Sequence, residues 1–171
     1  MSGGYTVRHP KLDEAPAIAE VHVKSWQQAY TGILPEQFWN DQALQRRTDS
    51  WREMLADQAH RARTRVTEVA GEIVGIAQIG PPREEDLEVD HELYLLYLLE
   101  DHHGSGAASE MLTELLNDKS AALWVFKDNP RAQAFYRKHG FEADGLEKDL
   151  GEDEGADALR GIIEMRMVRG V

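Results

Sequence analysis

The sequence contains no cysteine. Disulfides, thiolate nucleophiles, zinc-finger frameworks and iron–sulfur clusters are therefore all excluded. No apolar run approaches the roughly 20 residues that span a bilayer, so no membrane partner is expected. Met1-Ser2-Gly3-Gly4 offers neither a basic nor an apolar leader segment, which points to a cytoplasmic protein. Cations are also scarce: 19 Lys+Arg face 31 Asp+Glu, a formal net charge of −12. That balance argues against a general nucleic-acid binder, whose phosphate contacts need clustered positive charge. What is present is 171 residues, 42% hydrophobic and 29% charged, enough for one globular domain, residues 1–171, with a sizeable core.

The acidity is unevenly placed. Residues 1–65 carry net +1, 66–101 net −9, 102–141 net +1 and 142–171 net −5. Stretches 82–92 and 142–157, read as acidic loops, hold 14 of the 31 acids.

Periodicity gives the elements. Tyr5–His9 alternates as a first strand, and Ala15, Ile18, Ala19, His22, Trp26, Ala29 and Tyr30 recur at helical spacing up to Thr31-Gly32. A second helix is expected from Asp41 to about His60. Val66–Val69 and Ile73–Ile79 flank Ala70-Gly71-Glu72 as a hairpin. Leu93–Leu99 is a nearly continuous apolar strand, and a helix follows through Ala108, Met111, Leu112, Leu115 and Leu116. Ala121–Phe126 is a short strand. Asn129-Pro130 opens a helix with Asn as N-cap and Pro at the first helical position, and Gly140 ends it. Phe141 begins another strand and Ile162–Val168 a final one. The order is β-α-α-β-β-β-α-β-α-β-β, a mixed α/β fold around one sheet.

The segment Leu98–Ala108 joins a strand, a turn with Gly104 and Gly106, and a helix start. Such a turn aims unsatisfied N–H groups and the positive end of a helix dipole at one place, which suits phosphate. Taken alone it has three readings. A P-loop lacks its Lys-Ser/Thr, because Ala107-Ala108 stand there; a dinucleotide fingerprint is opposed by Ser109 and the mid-chain position; a plain tight turn needs no ligand.

The next motif separates these readings. His103-Gly104-Ser105-Gly106-Ala107-Ala108, then Leu123-Trp124-Val125, then Asn129 and Phe135-Tyr136-Arg137-Lys138-His139-Gly140-Phe141 resemble the GCN5-related N-acetyltransferase (GNAT) family. The family's loop pattern is Gln/Arg-x-x-Gly-x-Gly/Ala, with His103 here in first place. Trp26 and Tyr30–Pro35 also look like a helix and loop of that family. The resemblance implies a GNAT-like acyl-CoA N-acyltransferase fold and transfer of an acetyl group from acetyl-CoA directly to an amine. It implies that Leu98 and the loop His103, Gly104, Ser105, Gly106, Ala107 and Ala108 hold the pantetheine and pyrophosphate, that Asn129 contacts the pantetheine, and that Tyr136 lies near the sulfur as general acid. Three departures are His103 for Gln/Arg, Glu100 where Pro is common, and Ala108 for the commoner final Gly.

A lysine-like amine is almost wholly protonated at pH 7, so the reaction needs a proton acceptor. Glu92 is the candidate, and alternation places it with Tyr94, Leu96 and Leu98 on one strand face. Trp26, Tyr30 and Tyr94 are candidate substrate-binding aromatics. The adjacent pair His102-His103 is poorly spaced for joint ligation, and no metal is expected. The expected acceptor is a small, cationic primary amine; the alternatives are a protein N-terminal or lysine acetyltransferase and a non-catalytic CoA-binding regulatory module. A homodimer is compatible with the sequence.

Overall fold

The computed structural model describes residues 4–153 and 157–170. Seven strands hydrogen-bond in the order β1-β2-β3-β4-β5-β7-β6, giving a mixed sheet. They are β1 (Tyr5–Arg8), β2 (Thr64–Val69), β3 (Glu72–Gly80), β4 (His91–Leu98), β5 (Ala121–Phe126), β6 (Glu142–Asp149) and β7 (Ile163–Arg169). The helices are α1 (Ala15–Tyr30), α2 (Asp41–Ala56), α3 (Gln58–Ala62), α4 (Ala107–Leu116), α5 (Pro130–Lys138) and α6 (Leu150–Asp153). The expected order of elements is present, with α3 and α6 added. Among the described residues, no helix is long and apolar enough to cross a membrane.

Contacts group the chain into two compact units, with β4 divided between them after Tyr94. The first comprises the residues up to Ile79 and Leu95–Asn117. Its core joins Ala15, Ile18, Ala19 and Val21 of α1, Trp51 and Leu55 of α2, and Val66 and Ile76 of the sheet, with Leu95, Tyr97 and Leu99 packed against them. The odd-numbered side chains of β4's second half thus face this core. Antiparallel β2 and β3 turn through Ala70 (φ +51°) and Gly71 (φ +83°), both left-handed as a two-residue type I′ hairpin requires.

The single second helix expected over 41–60 is two helices. Asp57 leaves the helix at φ −94°, ψ 120° and its carboxylate accepts from the N–H of Ala59, so one Asp ends α2 and caps α3.

The second unit comprises Gly80–Tyr94 and the residues from Asp118 onward. His91–Leu93 pair in parallel with Ala121–Leu123, and β5, β7 and β6 continue antiparallel. Its buried residues include Leu93, Leu123, Tyr136, Phe141, Ile162 and Met167. The stretch 142–157, read as an acidic loop, proves to begin with a strand: Glu142, Asp144, Glu147 and Asp149 lie on β6. It continues the strand expected from Phe141; apolar residues are too few there for alternation to show its extent, which pairing with β7 fixes instead. Residues 154–156 of that stretch lie outside the described residues.

Candidate active site

In the first unit, Leu98 closes β4. The Leu99 N–H donates to the Val74 carbonyl of β3 at 3.0 Å. Successive residues of a strand turn their N–H and C=O groups to opposite edges, so those of Leu98 face away from β3. A 3-10 turn, Glu100–His102, then leads into the loop before α4. Gly104 (φ +81°) and Gly106 (φ +94°) both occupy left-handed backbone that L side chains rarely adopt, and a side chain on Gly104 would meet nothing within 4 Å.

The turn's own bonds engage His103 N–H (to Glu100 O, 3.0 Å), Ser105 N–H (to His102 O, 3.2 Å) and Ala107 N–H (to Ser105 Oγ, 3.3 Å). The N–H groups of Gly104, Gly106 and Ala108 meet no acceptor among the described residues. Three open donors at the start of a ten-residue helix are of the kind that would hold a pyrophosphate. The His103 side chain reaches elsewhere: its Nε2 lies 2.7 Å from the Leu98 carbonyl oxygen.

The same unit holds an aromatic group. Trp26 stacks on Phe38 (6.0 Å between centroids) and lies 5.0 Å from Tyr30, and its Nε1–H donates to Tyr97 Oη at 3.1 Å. The Arg47 guanidinium sits over the Trp26 ring at 5.5 Å. Tyr97 also packs at 5.2 Å from the buried His22. Phe38, Arg47 and Tyr97 were not among the residues expected from sequence; for Tyr97 the signal was its place in the apolar strand two residues from the helix-facing Leu95.

In the second unit, Glu92 is 1% exposed. Its carboxylate accepts from the Arg83 backbone N–H and Nε, each at 2.9 Å, and from Arg83 Nη2. The Glu92 carboxylate holds the Arg83 guanidinium firmly in its charged form, against the opposing effect of burial. Arg83 itself is 61% exposed, and its guanidinium lies 4.7 Å from the Tyr94 ring centroid. One arginine therefore touches both Glu92 and Tyr94, in keeping with their expected place on one strand face. The Tyr94 hydroxyl donates to Pro81 O at 2.6 Å, and its ring lies where a side chain on Gly80 would stand, so a larger residue there would force the ring aside. Arg83 is a residue that sequence reasoning missed; its sign within an acidic stretch was the available signal.

The rest of the acidic segment after Pro82 is also tied down. Glu84 accepts from Trp124 Nε1–H at 2.7 Å, and Asp90 accepts from Ser120 N–H and Oγ–H. Asp86 takes both Nη atoms of Arg166 at 3.1 Å, which holds its carboxyl below the usual range. Arg166 is buried and also binds Asp144 at 2.6 Å.

Asn129 is the N-cap of α5 as its sequence predicts: its Oδ1 accepts from Ala132 N–H at 3.1 Å, with Pro130 following. The helix start is fixed to β5 by Gln133, whose amide donates to Lys127 O (2.7 Å) and Phe126 O (3.3 Å). Tyr136 is buried, its ring edge-on to Phe135 (5.4 Å) and Phe141 (5.9 Å). Gly140, at φ +90°, ends the helix.

The model of the acetyltransferase (GNAT) family matches residues 21–141, more than half of the chain. The chain is 33% identical over 143 residues to an uncharacterized N-acetyltransferase, YuaI, of Bacillus subtilis, covering 80% of each protein. It is 24% identical over 155 residues to a probable N-acetyltransferase of Mycobacterium tuberculosis, covering 81% of this chain and 80% of that protein. Among solved structures, it resembles the PaiA N-acetyltransferase of Thermoplasma acidophilum in complex with coenzyme A, with a TM-score of 0.69, 16% identity, and 98% and 99% of the two chains covered. A ribosomal-protein-alanine N-acetyltransferase of Brucella melitensis gives a TM-score of 0.70 at 23% identity, covering 97% of this chain and 99% of that one.

Proposed function

The chain belongs to the acetyltransferase (GNAT) family and is an acyl-CoA-dependent N-acetyltransferase, and from this premise we propose that it acetylates the primary amine of a small, cationic acceptor within a single domain. The observation that carries the cofactor half of this reading is the set of open N–H donors at Gly104, Gly106 and Ala108. In the proposal, these and the rest of His103–Ala108 hold the pyrophosphate, while Leu98 and Asn129 hold the pantetheine arm. Bound acetyl-CoA supplies an activated thioester. Tyr136 donates a proton to the departing sulfur; a phenol with reference pKa near 10 is protonated at neutral pH. Backbone N–H at Leu98 steadies the developing oxyanion.

Glu92 is assigned the proton-accepting role. Its burial and its bonds from Arg83 mean that it reaches the amine through water or after Arg83 moves aside. Support for a cationic acceptor comes from the aromatic side chains. Trp26 and Tyr94 each present a face that already accommodates a guanidinium, and a carboxylate beside an aromatic face suits an ammonium ion equally well. Tyr30 completes the proposed acceptor wall with Trp26. Release of free CoA thiol from acetyl-CoA in the presence of small amines tests the reading. Stabilisation by acetyl-CoA with no thiol release for any amine would point instead to a CoA-binding module.

A further inference from the structure

We infer that His103 is a positioning residue, whose imidazole ties the phosphate-binding loop to the end of β4. The inference rests on the acyl-CoA reading above. A carbonyl oxygen only accepts hydrogen bonds, so the 2.7 Å contact with Leu98 O requires that His103 Nε2 carry the proton. That bond closes a ring across Leu98–His103, inside which the backbone turns His102 N–H to Leu99 O (2.9 Å) and His103 N–H to Glu100 O (3.0 Å) are already made.

Two consequences follow for the donors. The Leu98 N–H shares its strand edge with the Leu98 carbonyl, so the imidazole lies beside the group proposed to meet the pantetheine. Gly104, the first open donor of the loop, is the next residue after His103 and has wide conformational freedom of its own. The bond therefore fixes the distance between the strand donor and the loop donors. It also gives a physical reason for His in a place where the family pattern has Gln or Arg. All three end in an N–H donor several bonds from Cα, and the Gln amide nitrogen lies about as far out as imidazole Nε2. In this role the side chain serves the loop by reaching back to the strand.

The test compares wild-type protein, His103→Ala and His103→Gln in binding acetyl-CoA and acetyl-pantetheine, which lacks the pyrophosphate and nucleotide, by calorimetric and NMR titration. His103→Ala should weaken acetyl-CoA binding about fivefold, the scale of one modest hydrogen bond. It should change acetyl-pantetheine binding less than twofold. His103→Gln should bind both ligands within twofold of wild type. Nitrogen-15 NMR of wild-type protein should show His103 as the Nε2–H tautomer. Equal weakening of both ligands, no weakening, His103→Gln as weak as His103→Ala, or the other tautomer would overturn the inference while the acyl-CoA reading stands. Failure of wild-type protein to bind acetyl-CoA would overturn that reading and the inference with it.

Discussion

His22 lies on the buried face of α1 with its Nδ1 accepting from Trp51 Nε1–H at 3.1 Å, so the ring is neutral and carries its proton on Nε2. Burial, aided by the nearby Arg47 charge, pushes its pKa down to about 3. In the unfolded chain the same ring titrates near 6.5. The unfolded state therefore gains a proton that the folded state refuses, and stability, complete above pH 6.5, falls on acidification toward pH 3. The slope approaches about 1.4 kcal/mol per pH unit, or about 2 kcal/mol between pH 7 and 5. Urea unfolding at those two pH values should show that loss, and His22→Asn, which keeps an acceptor for Trp51, should flatten it. At the proposed catalytic positions, Tyr136→Phe should lower kcat with acetyl-CoA affinity nearly unchanged. Glu92→Gln, still able to accept from the Arg83 N–H, should lower kcat about a hundredfold. Turnover unaffected by either change would remove that residue from the chemistry.

At the scale of elements, the loop before α4 depends on two left-handed glycines. Gly104→Ala meets no steric obstacle but strains the backbone, so calorimetry should show weaker acetyl-CoA binding with the helix intact. The segment after Pro82 behaves differently from the acidic rim its composition suggests. Glu84, Asp86 and Asp90 each pair inside the second unit, so they act first as ties. Asp86→Asn should accordingly lower the thermal midpoint, because the buried Arg166 loses one of its two carboxylates. These pairings were invisible in sequence because each joins residues 30 or more positions apart. Local signals fared better. Asn129-Pro130 and Gly140 bracketed α5 correctly, since capping chemistry acts within one turn. Asp57 hid a helix break because it also suits a helix surface, and the strand expected from Phe141 hid its extent because the faces of β6 are nearly all polar.

For the whole molecule, the order of elements and the family were readable from periodicity and two motifs, while the partners of Glu92 and His103 were not. A net charge of −12 with a near-neutral stretch over 102–141 is compatible with the anionic cofactor and with the cationic acceptor proposed above. Several acids in the segment after Pro82 are paired, Glu92 among them, so the proposed attraction of a cationic acceptor rests more on the aromatic faces than on that charge. The most direct test of the central claim is the kcat/KM of thiol release with spermidine, set beside that of a neutral-bodied primary amine and a peptide with a free N-terminus. The account predicts turnover with the polycation at least tenfold more efficient than with the neutral amine, and weakening as salt rises. Efficient turnover of the peptide alone, or equal efficiency for the polycation and the neutral amine, would contradict it.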